Sequence, residues 1–145
     1  MRNKSFAALA TLALLASASA FGQTKLTADI PFEFSYSGKV MPAGHYDISR
    51  TPVVLVVRNF TSRAGALATT NNIGGGDNDN KQSRLTFNKY GDKYFLAEAW
   101  SGPGSAWAVG VPMSKTEREI ARESRDVARV TVPLRTGAVT LASLR

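Results

Sequence analysis

The chain of 145 residues has no cysteine, one histidine (His45), two tryptophans, and no acidic residue before Asp29. Each shortage excludes something. Without cysteine there is no disulfide scaffold, no thiol nucleophile, no Cys-ligated zinc and no lipid-modified cysteine to serve as an anchor. One histidine and no cysteine also exclude an ordinary catalytic zinc site, so no metal and no cofactor is expected. A Ser-His-Asp arrangement would have to use His45, yet no Gly-x-Ser-x-Gly elbow exists; Gly104-Ser105 is followed by Ala106-Trp107. No catalytic residue is therefore assigned, and His45 reads as a turn or edge residue. After the first twenty residues the longest apolar run is Val53–Val57, far short of a membrane span.

What is present begins with an address. Arg2 and Lys4 precede an apolar run, Phe6–Leu15, broken only by Thr11, and small residues follow at 16–20. This is the three-part layout of a secretory signal peptide. Cleavage is expected after Ala20, or alternatively after Gly22. The expected product is a secreted or periplasmic single domain over 21–145. The whole chain carries 18 basic and 11 acidic residues. Two of the basic residues lie in the signal, leaving sixteen against eleven, or +5. That mild balance suits an anionic surface or an acidic polysaccharide. Nucleic acid is not an expected partner, because no Lys/Arg run is interleaved with aromatics.

From Leu26 to Trp107 apolar residues recur every second position. Ala28, Ile30, Phe32 and Phe34 alternate with Asp29, Pro31, Glu33 and Ser35, with Pro31 marking an edge or bulge. Met41–Gly44 reads as a turn, followed by a strand with Tyr46 and Ile48 inward. Val53–Val57 is apolar on both faces, as a central, doubly covered strand would be. A polar stretch at 71–82, with three glycines and Asp77-Asn78-Asp79-Asn80, reads as a mobile loop. Its calcium-loop spacing fails where Lys81, Gln82 and Asn88 replace later ligands. Arg84–Asn88 and Tyr94–Trp100 form a hairpin around Lys89–Lys93. A weaker strand covers Ala106–Val111. Strands at Arg129–Pro133 and Ala138–Leu144 close the chain around Thr136-Gly137.

The period changes after Pro112. Ser114-Lys115-Thr116-Glu117 is a capping box that opens a helix expected to run to about Ala128. Met113, Thr116, Ile120, Ser124 and Val127 fall on one side of it, with Ile120 and Val127 as the expected docking residues. Arg118, Arg122, Arg125 and Arg129 fall on the other, a candidate anion-binding stripe.

The candidate ligand-binding residues are Tyr94, Glu98, Trp100 and Trp107, because flat aromatic faces beside a loop can stack on sugar rings. Glu98 shares the parity of Leu96 and Trp100. Either that face is wet, or an acid sits among apolar neighbours with a raised pKa. Asp29 and Glu33, about 13 Å apart along one strand, lie too far apart for a glycosidase pair.

Ile30–Phe34, Pro42-Ala43-Gly44-His45-Tyr46, Tyr90-Gly91 with Tyr94-Phe95-Leu96 and Trp100, and the Glu/Arg-rich helix together resemble a group of small secreted bacterial proteins of unknown function. The resemblance implies secretion and a shared β-rich domain and carries over no catalytic residue. The expected fold is all-β and mainly antiparallel, a sandwich or flattened barrel of about eight strands with one C-terminal amphipathic helix. The expected function is a non-enzymatic binding or structural module. Its partner is an envelope polysaccharide, an anionic surface or another exported protein. A β-barrel carrier of a small apolar ligand and a carboxylate hydrolase built on Glu98 stand as alternatives.

Overall fold

Period-two patterning dominates the chain, and the structure is correspondingly rich in strands. The computed structural model describes residues 24–74, 82–102 and 107–138. The expected signal peptide, the Asp77–Asn80 run and the residues after Ala138 lie outside the described residues.

Twelve strands are formed among the described residues rather than about eight. They are β1 (Thr24–Ile30), β2 (Phe34–Tyr36), β3 (Lys39–Met41), β4 (Gly44–Arg50), β5 (Val54–Asn59), β6 (Gly65–Thr69), β7 (Asn71–Gly74), β8 (Arg84–Tyr90), β9 (Lys93–Trp100), β10 (Ala108–Gly110), β11 (Ala128–Pro133) and β12 (Arg135–Ala138). One helix, α1 (Lys115–Glu123), stands between β10 and β11. The first sheet has the order β12-β1-β4-β5-β6 and the second β11-β8-β9-β10-β7. In the second sheet β2 lies parallel to the start of β9, pairing Ser35 with Phe95, and β3 pairs with β2. Every other paired ladder with a defined register is antiparallel.

The extra strands arise where the chain changes sheet. The alternation through Ala28–Ser35 is real, but the strand does not stay in one ladder. Pro31 cannot donate to a ladder, and pairing stops at Ile30 and resumes at Phe34 in the other sheet. The buried parity survives the passage. Ala28 and Ile30 face inward from the first sheet, Phe34 and Tyr36 from the second. Phe32 lies between them, stacked on Tyr94 and edge-on to Phe87. The chain returns to the first sheet at Pro42-Ala43, crosses again at Thr70 and passes back at Leu134. Because the chain alternates between two ladders, hydrogen bonding does not continue round a ring. The described strands are not closed into a barrel, which sets aside the flattened-barrel alternative for the fold.

Both sheets contribute to one core. Leu26, Ile30, Tyr46, Ile48, Leu55 and Val57 meet Phe34, Met41, Leu85, Phe87, Leu96, Ala99 and Val109. Lys25–Gly137 makes up one compact unit. Tyr36 donates its hydroxyl to the Leu55 carbonyl across the core at 2.6 Å, and burial pushes its phenol up to about 12. Strand β5 lies between β4 and the edge strand β6 rather than at the centre, and it is not doubly covered, because its outer face is only half covered. Val54 and Val56 are half-buried and Leu67, opposite Val56, is exposed. Asn71–Gly74, expected to open a loop, pairs with β10 as a strand. The turn expected at Thr136-Gly137 falls at Leu134, and those two residues lie within β12.

Helix α1 stops at Glu123, five residues before its expected end. Ser124 adopts an extended conformation and its N–H donates to the Ile120 carbonyl, closing the last turn. Residues from Ala128 onward are taken by β11 instead. Val127 is therefore not a docking residue; it is half exposed and lies outside the helix. The N-terminus behaves as expected in one half, with the Glu117 N–H donating to Ser114 Oγ at 3.1 Å. The Glu117 carboxylate reaches elsewhere.

Candidate functional site

The second sheet has an inner face toward the core and an outer face. On β8, Leu85 and Phe87 point inward, so Arg84, Thr86, Asn88 and Tyr90 point outward. The partners on β11 follow: Arg129 opposite Asn88, Thr131 opposite Thr86 and Pro133 opposite Arg84. Strand β9 does not keep one parity along its length. Leu96 pairs with Phe87 and Glu98 with Thr86, leaving Ala97 unopposed in a β-bulge. Before the bulge Tyr94 and Leu96 face the core; after it Ala99 does. Glu98 and Trp100 are thereby turned to the outer face. The conflict of an acid sharing parity with Leu96 is resolved by one extra residue: Leu96 stays in the core, and Glu98 lies half-buried on the opposite face.

The two halves of this outer face differ. Beneath α1, Glu117 is 4% exposed and is the one buried residue of the helix. Its Oε1 accepts from Asn88 Nδ2 at 3.1 Å and from the Tyr90 hydroxyl at 3.2 Å. Tyr90 packs edge-on against Phe95. Burial, reinforced by the charge of Glu117 and the hydrogen bond to it, pushes the Tyr90 phenol up. Ile120, expected to dock the helix, is only half-buried.

The open half holds Arg84, Glu98, Trp100, Arg129 and Thr131. Glu98 Oε1 accepts from Arg129 Nη2 at 2.7 Å and Oε2 accepts from the Trp100 indole N–H at 3.0 Å. Partial burial acts to raise the Glu98 pKa. The Trp100 hydrogen bond, the Arg129 hydrogen bond and charge, and the charge of Arg84 outweigh it, so the carboxyl titrates below its ordinary value. The raised-pKa alternative is overturned. The Arg84 guanidinium lies 4.4 Å from the centre of the Trp100 ring. Its Nη1 is out of solvent and has no hydrogen-bond partner among the described residues. A groove of about 640 Å³, lined by Gln82, Ser83, Arg84, Thr131 and Pro133, runs along this rim.

Of the four expected ligand-binding residues the structure brings together two, Glu98 and Trp100. Tyr94 faces the other way, stacked on Phe32 with Lys89 Nζ 5.3 Å from its ring. Trp107 packs against the core beneath Arg50 and is tied to Ser101, whose N–H and hydroxyl both donate to its carbonyl. The arginine stripe is also divided. Arg118 and Arg122 are exposed on α1, Arg125 follows the helix, and Arg129 stands on β11 paired with Glu98. The residues missed were Arg84 and Glu117. For Arg84 the signal was outward parity on β8, shared with Asn88 and Tyr90; for Glu117, on α1, the capping position gave no sign of those two partners.

Two other places carry chemistry. His45 and Asp29 are opposed across β4 and β1, with Nδ1 to Oδ1 at 2.5 Å. The His45 hydrogen bond holds the exposed Asp29 carboxyl below its ordinary value. A cleft of about 400 Å³ has Phe34, Phe95 and Ile120 among its apolar lining and Glu33, Asp92 and Lys93 among its polar lining. No group of three or more His, Cys, Asp or Glu able to hold a metal occurs among the described residues. No helix among them is long and apolar enough to cross a membrane. No family model matches the chain, no curated protein matches it in sequence and no solved structure matches it in fold.

Proposed function

We propose that the chain is an exported, non-enzymatic binding module of the periplasm or cell exterior, its two sheets forming a sandwich and its ligand an envelope polysaccharide. Export rests on the N-terminal sequence. Binding rests on one observation: Trp100 shares the open outer face with a carboxylate and two guanidiniums. An aromatic side chain beside charged hydrogen-bonding groups suits a sugar, which has apolar C–H faces and a polar rim. Glu98 is poorly suited to general-acid chemistry, because its neighbours stabilise the ionised form.

Affinity electrophoresis of the secreted protein through gels containing polygalacturonate or a neutral glucan tests this reading. Retardation by at least one polymer is expected, weakened about tenfold by Trp100→Ala, in keeping with the energy of a lost aromatic contact. Unaltered mobility in both gels overturns it. Intact-mass measurement tests export separately, with the mature chain expected to start at Phe21 or Gln23.

A second reading is favoured by the cleft beside α1, whose volume lies within the usual range for small-molecule sites. There a small amphipathic ligand would lie on Phe32, Val40 and Ile120 without needing a barrel. Ile120→Trp, which fills the cleft, would abolish uptake of a fluorescent apolar probe if that reading is right.

A further inference from the structure

We propose that the saccharide held on the open outer face is acidic, and that Arg84 takes its carboxylate. This rests on the reading of that face as a saccharide platform and adds the chemical class of the ligand.

Charge is the first argument. Arg84 and Arg129 face one carboxylate, Glu98, so among the described residues the cluster carries one positive charge in excess. The two cations are not equivalent. Arg129 is committed to Glu98 by a 2.7 Å hydrogen bond. Arg84 influences Glu98 by charge, while its guanidinium rests on the Trp100 ring. The surplus therefore belongs to Arg84.

The state of Arg84 is the second argument. A donor taken out of water without an acceptor is destabilising, and Nη1 is such a donor among the described residues. Swinging the guanidinium from the indole into the groove removes that cost and presents a planar fork. That fork matches a carboxylate through two parallel hydrogen bonds.

The groove itself is the third. Beside Arg84 it offers Gln82, Ser83 and Thr131 and the flat ring of Pro133. These neutral hydrogen-bonding groups suit sugar hydroxyls. A site for an anionic membrane would show several cations projecting together, and among the described residues Arg84 is the one cation that lines the groove. A sugar bearing one carboxylate per ring fits one surplus charge.

Polygalacturonate and its fully methyl-esterified form share one backbone and differ in the carboxylate. Isothermal titration of the secreted protein with each, at about 0.15 M salt to screen non-specific attraction, measures the difference directly. The acid form is expected to bind at least about tenfold more tightly than the ester, the magnitude of a charged hydrogen bond. Arg84→Ala should erase that preference. Arg84→Lys, which keeps charge without the fork, should restore only part of it. Equal binding of acid and ester, lost in Trp100→Ala, would overturn the acidic class while leaving the saccharide reading intact. Binding of neither polymer would overturn both. Tighter binding to phosphatidylglycerol vesicles than to polygalacturonate would replace the sugar with a lipid surface. The comparison on the unaltered protein decides the matter even if Arg84→Ala does not fold.

Discussion

Under α1 and in the open half, the outer face of the second sheet holds one glutamate each, and the two are treated in opposite ways. Glu117 is buried, and its described partners are the neutral donors Asn88 and Tyr90. Glu98 is more accessible and meets a guanidinium and an indole. A buried carboxylate must have its lone pairs satisfied, which makes Glu117 a fastener holding the helix to the sheet. A half-open carboxylate surrounded by cations instead arranges them, fixing Arg129 and leaving Arg84 in surplus. The same residue type on one face thus serves attachment in one place and recruitment in the other.

The sharpest way to break this comparison is to remove the fastener. Glu117→Ala leaves the Tyr90 hydroxyl and Asn88 amide without their acceptor and should cost about 3 kcal/mol in urea denaturation. Glu117→Gln retains an acceptor oxygen and should cost about 1 kcal/mol. Equal losses in the two variants would mean that the side chain's volume matters and its hydrogen bonds do not. The Gln variant also carries a spectroscopic signature. Burial still raises the Tyr90 phenol, but without the neighbouring charge it should titrate at lower pH than in the unaltered protein. A raised phenol pKa stabilises the fold at pH values below the ordinary 10.0, and that contribution disappears as pH rises through the folded value.

Ile120→Ala comes next. The side chain is half-buried, so about 1 kcal/mol is expected. A loss exceeding that of Glu117→Ala would make the helix an apolar attachment after all.

For Glu98 the sign runs the other way from Tyr90. Its folded pKa lies below the ordinary 4.5, so its contribution is present above that value and is lost as pH falls through the folded one. Glu98→Gln should flatten the acid limb of the stability profile, measured by thermal melts from neutral pH downward. An unchanged limb would mean that Arg129 and Trp100 do not favour the ionised form. The smallest effect is expected for Arg122→Ala, an exposed residue of α1, at about 0.5 kcal/mol or less. Should it also weaken polygalacturonate binding, the helix would have to be joined to the site.

Much of this architecture was legible where a residue's environment follows from its neighbours in the chain. Tyr46 and Ile48, Leu85 and Phe87, and the break at Pro31 are all read from alternation and from proline's missing donor. Three features escaped for one reason: each depends on a partner far away in sequence. Ala97 bulges because Leu96 and Glu98 answer consecutive residues of β8. Its trace was the clash between an acid and the parity of Leu96. Glu117 looks like a solvated capping residue until β8 is placed beneath it. The helix is shorter than its periodicity: Ser124 is already extended, and Ala128 onward pairs with β8, a partner that local propensity does not see. Within the candidate site, Trp100 and Glu98 are singled out by their own chemistry, whereas Arg84 requires the face to be known.

The four passages between sheets have a mechanical consequence. Pro31–Glu33, Pro42-Ala43, Thr70 and Leu134 span no more than three residues each. A chain without cysteine is thus stitched across its core by its own backbone, as a jacket is quilted. Neither sheet can peel away whole, since any opening wider than a few residues' reach must first unzip the strands on both sides of a stitch. Because the stitches are peptide bonds, a reductant has nothing to cut, and this restraint is indifferent to the redox state of its surroundings.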